Sequence, residues 1–161
     1  TVTGLAYLAM QKRSTIFLLG AAAGVAENVK AKLEVEFPGL QILGTYAGSP
    51  HPNEEEIICN MVTSLHPHIL LVAYGAPKQE LWVARNLKRM NVPVVMCVGG
   101  TFDFIAGKSH RAPKWMQNLG LEWSYRLIKE PWRWRRMLAL PRFAMAVLSE
   151  KISDTKSNKN L

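Results

Sequence analysis

Residues 69–80 read ILLVAYGAPKQE: an apolar run from Ile69 to Tyr74, the break Gly75-Ala76-Pro77, and the polar opening Lys78-Gln79-Glu80. An apolar run this short, with a Gly-Pro break behind it, predicts a strand covered on both faces, and the residues after the break predict a helix from Lys78 to about Met90. Strands covered on both faces belong to parallel sheets, where crossover helices lie on either side.

The same grammar extends outward. Ser14 to Gly20 (STIFLLG) reads as a strand, and Gly20-Ala21-Ala22-Ala23-Gly24 turns it into a helix carried by Val25, Val29, Leu33 and Phe37. Pro38-Gly39 stops that helix, Leu40 to Tyr46 reads as a second strand, and Asn53 predicts the N-cap of a helix that starts Glu54-Glu55-Glu56 and reaches about Leu65. Downstream, Val94 to Val98 (VVMCV) is a further apolar run, expected to be buried on both faces and ending at Gly99-Gly100. Strands alternating with helices give an α/β domain, a Rossmann-like parallel sheet with helices on both faces. From Arg111 the pattern becomes helical, so the chain divides into an α/β domain at 1–110 and a helical, basic C-terminal appendage at 111–161.

At 161 residues, 48 % hydrophobic and 20 % charged, the chain can bury a core, which excludes disorder and fibrous classes. Cys59 and Cys97 match no metal spacing and fall in apolar segments, which predicts two reduced, buried thiols. No apolar run reaches the roughly 18–20 residues that span a bilayer. The chain opens at Thr1, already inside an apolar pattern (Val2, Leu5, Leu8, Ala9), so it is expected to be part of a longer protein.

The net charge of +8 is unevenly placed: residues 1–107 hold eight Lys/Arg and eight Asp/Glu, and residues 108–161 hold twelve and four. Such asymmetry points to a polyanionic partner surface, a nucleic acid or an anionic membrane leaflet. On a helical wheel from Pro131 to Ile152, Trp134, Met137, Leu138, Pro141, Met145, Leu148 and Ile152 form one apolar stripe, opposite Arg135, Arg136 and Arg142. With Trp132 beside them, these residues have the composition of a helix lying at a lipid headgroup boundary; packing of the stripe on the domain is the alternative. Trp132, Trp134, Arg135, Leu138 and Arg142 are the candidate membrane contacts. A membrane surface suits an apolar stripe with tryptophan better than a nucleic acid does, so no nucleic-acid partner is expected.

In an open parallel sheet, ligands bind at the carboxyl ends of the strands. Three loops there are candidates: Gly20 to Gly24, Gly75 to Glu80 and Gly99 to Asp103. In the first, Gly20 and Ala21 let a backbone approach a phosphate or sugar, with a tight packing turn as the equal alternative. The pattern is not G-x-G-x-x-G, and no acid near Thr45 is placed to hold a ribose, so a dinucleotide reading is weak. In the second, Gly75, Lys78 and Gln79 put polar groups at a helix start, expected to face outward toward a ligand; the alternative, favoured for Lys78 taken alone, is a solvated lysine beside a Glu80 that complements the helix dipole. In the third, Gly100 and Asp103 stand at a strand end, and Asp103 is one of only two aspartates, the other being Asp154, with a turn or helix cap as its alternative role. There is no Asp-x-Asp pair, and His51, His66, His68 and His110 share no ligand spacing, so neither a metal nor another cofactor is expected. The run Glu54-Glu55-Glu56 is accounted for by the helix dipole and solubility.

GAPKQE (75–80), GGTFDFIAGKSHRAPKW (99–115) and LEWSYRLIKEPWRWRRM (121–137), in this order and spacing, resemble the WecG/TagA/CpsF family of bacterial glycosyltransferases. The likeness runs from the Gly20 loop to about Leu148. It implies inverting transfer of N-acetylmannosamine, or its uronic acid, from UDP to a GlcNAc-diphospho-polyprenol acceptor without an essential metal. The long Arg/Trp tail favours the branch that builds the linkage unit of wall teichoic acid, on the cytoplasmic face of the cell membrane. By the same resemblance Gln79 and Asp103 contact the nucleotide sugar, and Arg126, Arg133 and Arg136 close over the diphosphate and stabilise the leaving group. Guanidinium forks suit that task. The family's amino-terminal Thr-Pro-Asn segment and the Asp-Gly segment that carries its proposed general base have no counterpart here, since Val2-Thr3-Gly4 resembles the stretch that follows them. The base is therefore expected outside this chain. A catalytically dead membrane-surface module stays open as the alternative, as does a homo-oligomer that hides the apolar stripe.

Overall fold

The computed structural model describes residues 2–109, 113–121, 124, 125 and 128. The chain divides into two compact units, Thr1–His110 and Arg111–Leu161. The first runs α1 (Val2–Gln11), β1 (Thr15–Gly20), α2 (Val25–Glu36), β2 (Gln41–Tyr46), α3 (Pro52–Leu65), β3 (Ile69–Ala73), α4 (Lys78–Met90), β4 (Val94–Cys97) and α5 (Thr101–Ala106). The strands form one parallel sheet in the order β2-β1-β3-β4, so the fold is α/β.

The two-residue period of a strand divides its side chains between two cores. Ile16 and Leu18 of β1 face Val25, Val29 and Leu33 of α2, Val2, Ala6 and Ala9 of α1, and Phe102 of α5. Phe17 and Leu19 face the opposite way, toward Ile58, Cys59 and Val62 of α3 and Trp82 and Met90 of α4. Each fully buried large side chain contributes about 1.5–3 kcal/mol relative to leaving it in water, and the central strands are accordingly apolar from Ile16 to Leu19 and from Ile69 to Ala73, with the polar Thr15 only at the half-buried start of β1. In α4 the buried set is Gln79, Trp82, Asn86 and Met90, a stripe at helical spacing.

Three local expectations are corrected. VVMC is an edge strand, not one buried on both faces: Val94 is 46 % exposed and Val95, Met96 and Cys97 are only partly covered. Cys97 is accordingly half-buried, while Cys59 is buried and donates to Asn86 Oδ1 at 3.3 Å; both are free thiols, raised in pKa chiefly by burial. The N-cap of α3 is His51, not Asn53: its Nδ1 accepts from Asn53 N, and Pro52 takes the first helical position, where a missing N–H is harmless.

In the second unit, α6 (Lys114–Asn118) follows Pro113, and Gly120 follows it with φ +70°. Trp115, Leu119 and Ile128 are exposed. The apolar stripe from Pro131 to Ile152 lies outside the described residues, as do Arg126, Arg133, Arg136, Trp132, Trp134, Arg135, Leu138 and Arg142. Among the described residues no helix is long and apolar enough to cross a membrane.

Candidate functional site

Strands β1 and β3 are neighbours, but the chain leaving β1 enters α2 on one face of the sheet and the chain leaving β3 enters α4 on the other. Where adjacent strands send their connections to opposite faces, a crevice opens at their carboxyl ends. Gly20 ends β1, and Ala21, Gly75, Lys78, Gln79, Gly100 and Asp103 are in the loops and helix starts at this end of the sheet.

The β1–α2 turn is held closely to β3. Gly20 has φ +95°, and a Cβ there would lie 2.9 Å from the carbonyl carbon of Ala73. Ala21, also left-handed at φ +65°, donates its N–H to the Ala73 carbonyl at 3.0 Å. Close backbone packing thus explains both residues, the packing-turn alternative for this loop.

Gln79 does not face outward as expected; it is 5 % exposed. Its Oε1 accepts from Gly75 N at 3.1 Å and from Gly99 N at 3.0 Å, and its Nε2 donates to Glu80 Oε1 at 2.8 Å. The side chain therefore ties the loop after β3 to the loop after β4. The strand-end glycines leave their amides exposed to a side-chain acceptor, and Gln79, on the buried stripe of α4, is placed to supply it.

Asp103 sits in the first turn of α5, near Gly100, whose Cβ position would be 3.8 Å from its Oδ2. Its backbone carbonyl closes the helix end by accepting from Lys108 N and Ser109 N. Its carboxylate caps no helix: the N-cap is Gly100, with no side-chain hydrogen bond. Among the described residues that carboxylate has no hydrogen-bond or ion-pair partner, which leaves it available to a ligand.

A cleft of about 290 Å³ opens beside the crevice, lined by Ser49, Pro50, His51 and Pro52 of the β2–α3 loop and by Lys78, Leu81 and Arg85 of α4. Its wall is braced by the acidic start of α3. Glu54 accepts from Ser49 N, and Glu55 pairs with Arg85 at 2.6 Å while Arg85 also donates to the Pro50 carbonyl at 3.1 Å. The dipole-and-solubility account of that run is therefore incomplete, because Arg85 lies 30 residues away and no local pattern links them. Lys78, exposed and without an ion partner among the described residues, stands at the cleft's rim in the first turn of α4. The loop SPHP before α3 was the available signal for this wall, since prolines there fix a rigid turn.

Residues 2–157 match the profile of the glycosyl transferase WecG/TagA/CpsF family. The chain belongs to this family. It is 37 % identical over 144 residues to an N-acetylglucosaminyldiphosphoundecaprenol N-acetyl-beta-D-mannosaminyltransferase of Bacillus subtilis (strain 168), a match covering 89 % of this chain and 56 % of that protein. A protein of the same name from Bacillus spizizenii (strain ATCC 23059 / NRRL B-14472 / W23) is 32 % identical over 154 residues, covering 96 % and 59 %. The chain thus spans less than two thirds of the length of these curated relatives. Within the family match, the loops at 75–80 and 99–103 are the ones that Gln79 joins.

Proposed function

We propose that this chain carries the nucleotide-sugar half of a transferase that moves N-acetylmannosamine from UDP to a GlcNAc-diphospho-undecaprenol acceptor with inversion, in synthesis of the wall teichoic acid linkage unit. The observation that carries the reading is the Asp103 carboxylate, without a partner among the described residues, near two glycine loops joined by Gln79, in a family whose relatives are named for this transfer. UDP-N-acetylmannosaminuronic acid as donor is the finer alternative within the family.

In this reading the donor lies across the crevice, with Gly20, Ala21, Gly75, Lys78, Gly100 and Asp103 around it and Gln79 fixing the loops. Charge developing on the departing UDP is met by Arg126, Arg133 and Arg136, with no divalent metal required. Trp132, Trp134, Arg135, Leu138 and Arg142 rest on the anionic inner face of the cell membrane, where the polyprenyl acceptor resides; basic residues near such a surface each contribute about 1 kcal/mol. The general base lies outside this chain, and association of copies would cover the apolar stripe away from lipid.

The test is transfer of labelled sugar from UDP-N-acetylmannosamine to GlcNAc-diphospho-undecaprenol in anionic vesicles, using this chain with EDTA present. A disaccharide-lipid product, lost in Asp103→Ala, supports the donor site but places the base within this chain, against the reading above. Donor binding without product supports a donor half that needs the base from elsewhere; neither binding nor product, with vesicle association intact, supports the membrane-surface module instead.

A further inference from the structure

Among the described residues, two buried side-chain polar atoms have no hydrogen-bond partner: the Tyr74 hydroxyl and the Trp82 Nε1. They belong to one aromatic pair, meeting edge to face with centroids 5.8 Å apart. Native interiors seldom leave such donors unpaired, and each one calls for an explanation. Trp82 has no exposed surface and lies wholly within the core between the sheet and α3 and α4.

Tyr74 is placed differently. It directly follows β3, at the edge of the crevice, and is only partly buried. Its Cδ1 lies 3.0 Å from the Cβ position of Gly20, and its hydroxyl 3.1 Å from that of Gly48. The phenol therefore reaches from the end of β1 to Gly48 in the β2–α3 loop, where the Tyr46 ring, 2.6 Å from the same Cβ position, lies closer still. Both glycines lack a side chain where the phenol passes, and Gly48, at φ +48°, could carry one only with strain. Burial, then the negative charge of Glu54, push the phenol's pKa well above its ordinary value, so at neutral pH it is a neutral O–H donor.

We propose that the Tyr74 hydroxyl is a nucleotide-binding group of this site, donating a hydrogen bond to an oxygen of UDP that enters between the β1–α2 turn and the β2–α3 loop. The inference rests on the nucleotide-sugar reading above. UDP fits because its uracil carbonyls, ribose and phosphates all present oxygen acceptors, which is what an orphaned donor lacks. The hydroxyl is covered in the free protein, so binding requires a small outward shift of the loop around Gly48.

Tyr74→Phe keeps the ring, its contact with Trp82 and its fit against Gly20, and removes the O–H alone. UDP is titrated calorimetrically into the wild-type chain and the variant, and both are melted without ligand. Expected are a UDP Kd raised about five- to tenfold and a melting temperature unchanged or higher, since the variant no longer buries an unpaired donor. An equal weakening for UDP-N-acetylmannosamine supports contact through the nucleotide. An unchanged Kd alongside a higher melting temperature would overturn the proposal and leave the hydroxyl a tolerated packing defect. If wild-type UDP binding is itself absent, the nucleotide reading fails and this inference falls with it.

Discussion

Gln79→Met is expected to destabilise the α/β unit by roughly 2–4 kcal/mol and to weaken UDP binding tenfold or more. The thioether fills similar volume, so the loss is polar: Gly75 N and Gly99 N lose their common acceptor, and Glu80 loses its donor. Because the side chain is 5 % exposed, water cannot replace those bonds without opening the structure. Urea denaturation would read the stability term, and the melting temperature should fall by roughly 6–12 °C. Gln79→Glu provides the contrast, since its carboxylate still accepts from both amides but meets the Glu80 carboxylate. Two adjacent carboxylates repel until one takes up a proton, so this variant should lie close to Met at pH 8 and recover as pH falls through the carboxylate range. A Gln79→Met protein with wild-type stability would contradict the tie between the loops.

Gly20→Ala should cost about 2–4 kcal/mol, from a left-handed backbone and a forced close contact together. The added Cβ would lie 2.9 Å from Ala73 C and 3.1 Å from Ala73 N, and backbone atoms in the middle of a sheet cannot turn aside as a flexible side chain could. Relief requires separating the ends of β1 and β3, which also breaks the Ala21 N–H to Ala73 carbonyl bond. Gly24→Ala is the internal control. Its φ of +77° is also left-handed, but no atom lies within 4 Å of the new Cβ, so about 1 kcal/mol is expected. Equal denaturation midpoints for the two variants would show that the close approach is not what requires glycine at position 20.

What could be read from the chain and what could not follow from how far each feature depends on distant partners. The runs at β1 and β3 and the extent of α4 from Lys78 to Met90 are local statements, carried by apolar period and by the Gly-Pro break, and the structure agrees with them. An apolar run does not reveal its place in the sheet order, so VVMC read the same as ILLVA although it lies at the edge. The location of the candidate site was legible because strand-end glycines mark it. The direction of its polar groups was not: Gln79 faces Gly99, twenty residues on, and Glu55 faces Arg85, thirty residues on. The Tyr74 hydroxyl gave no signal at all, since a tyrosine closing an apolar run reads simply as one more strand residue.

The central claim is that the donor nucleotide binds at the carboxyl ends of these strands, against Asp103. Its most direct test is a calorimetric titration of UDP-N-acetylmannosamine into the wild-type chain and Asp103→Ala in EDTA, with matching melting temperatures to establish that both are folded. The account predicts saturable binding by the wild type and a Kd raised about tenfold or more by the substitution, as for loss of a hydrogen bond to a charged group. Equal affinities in two equally stable proteins would contradict it and place the nucleotide elsewhere.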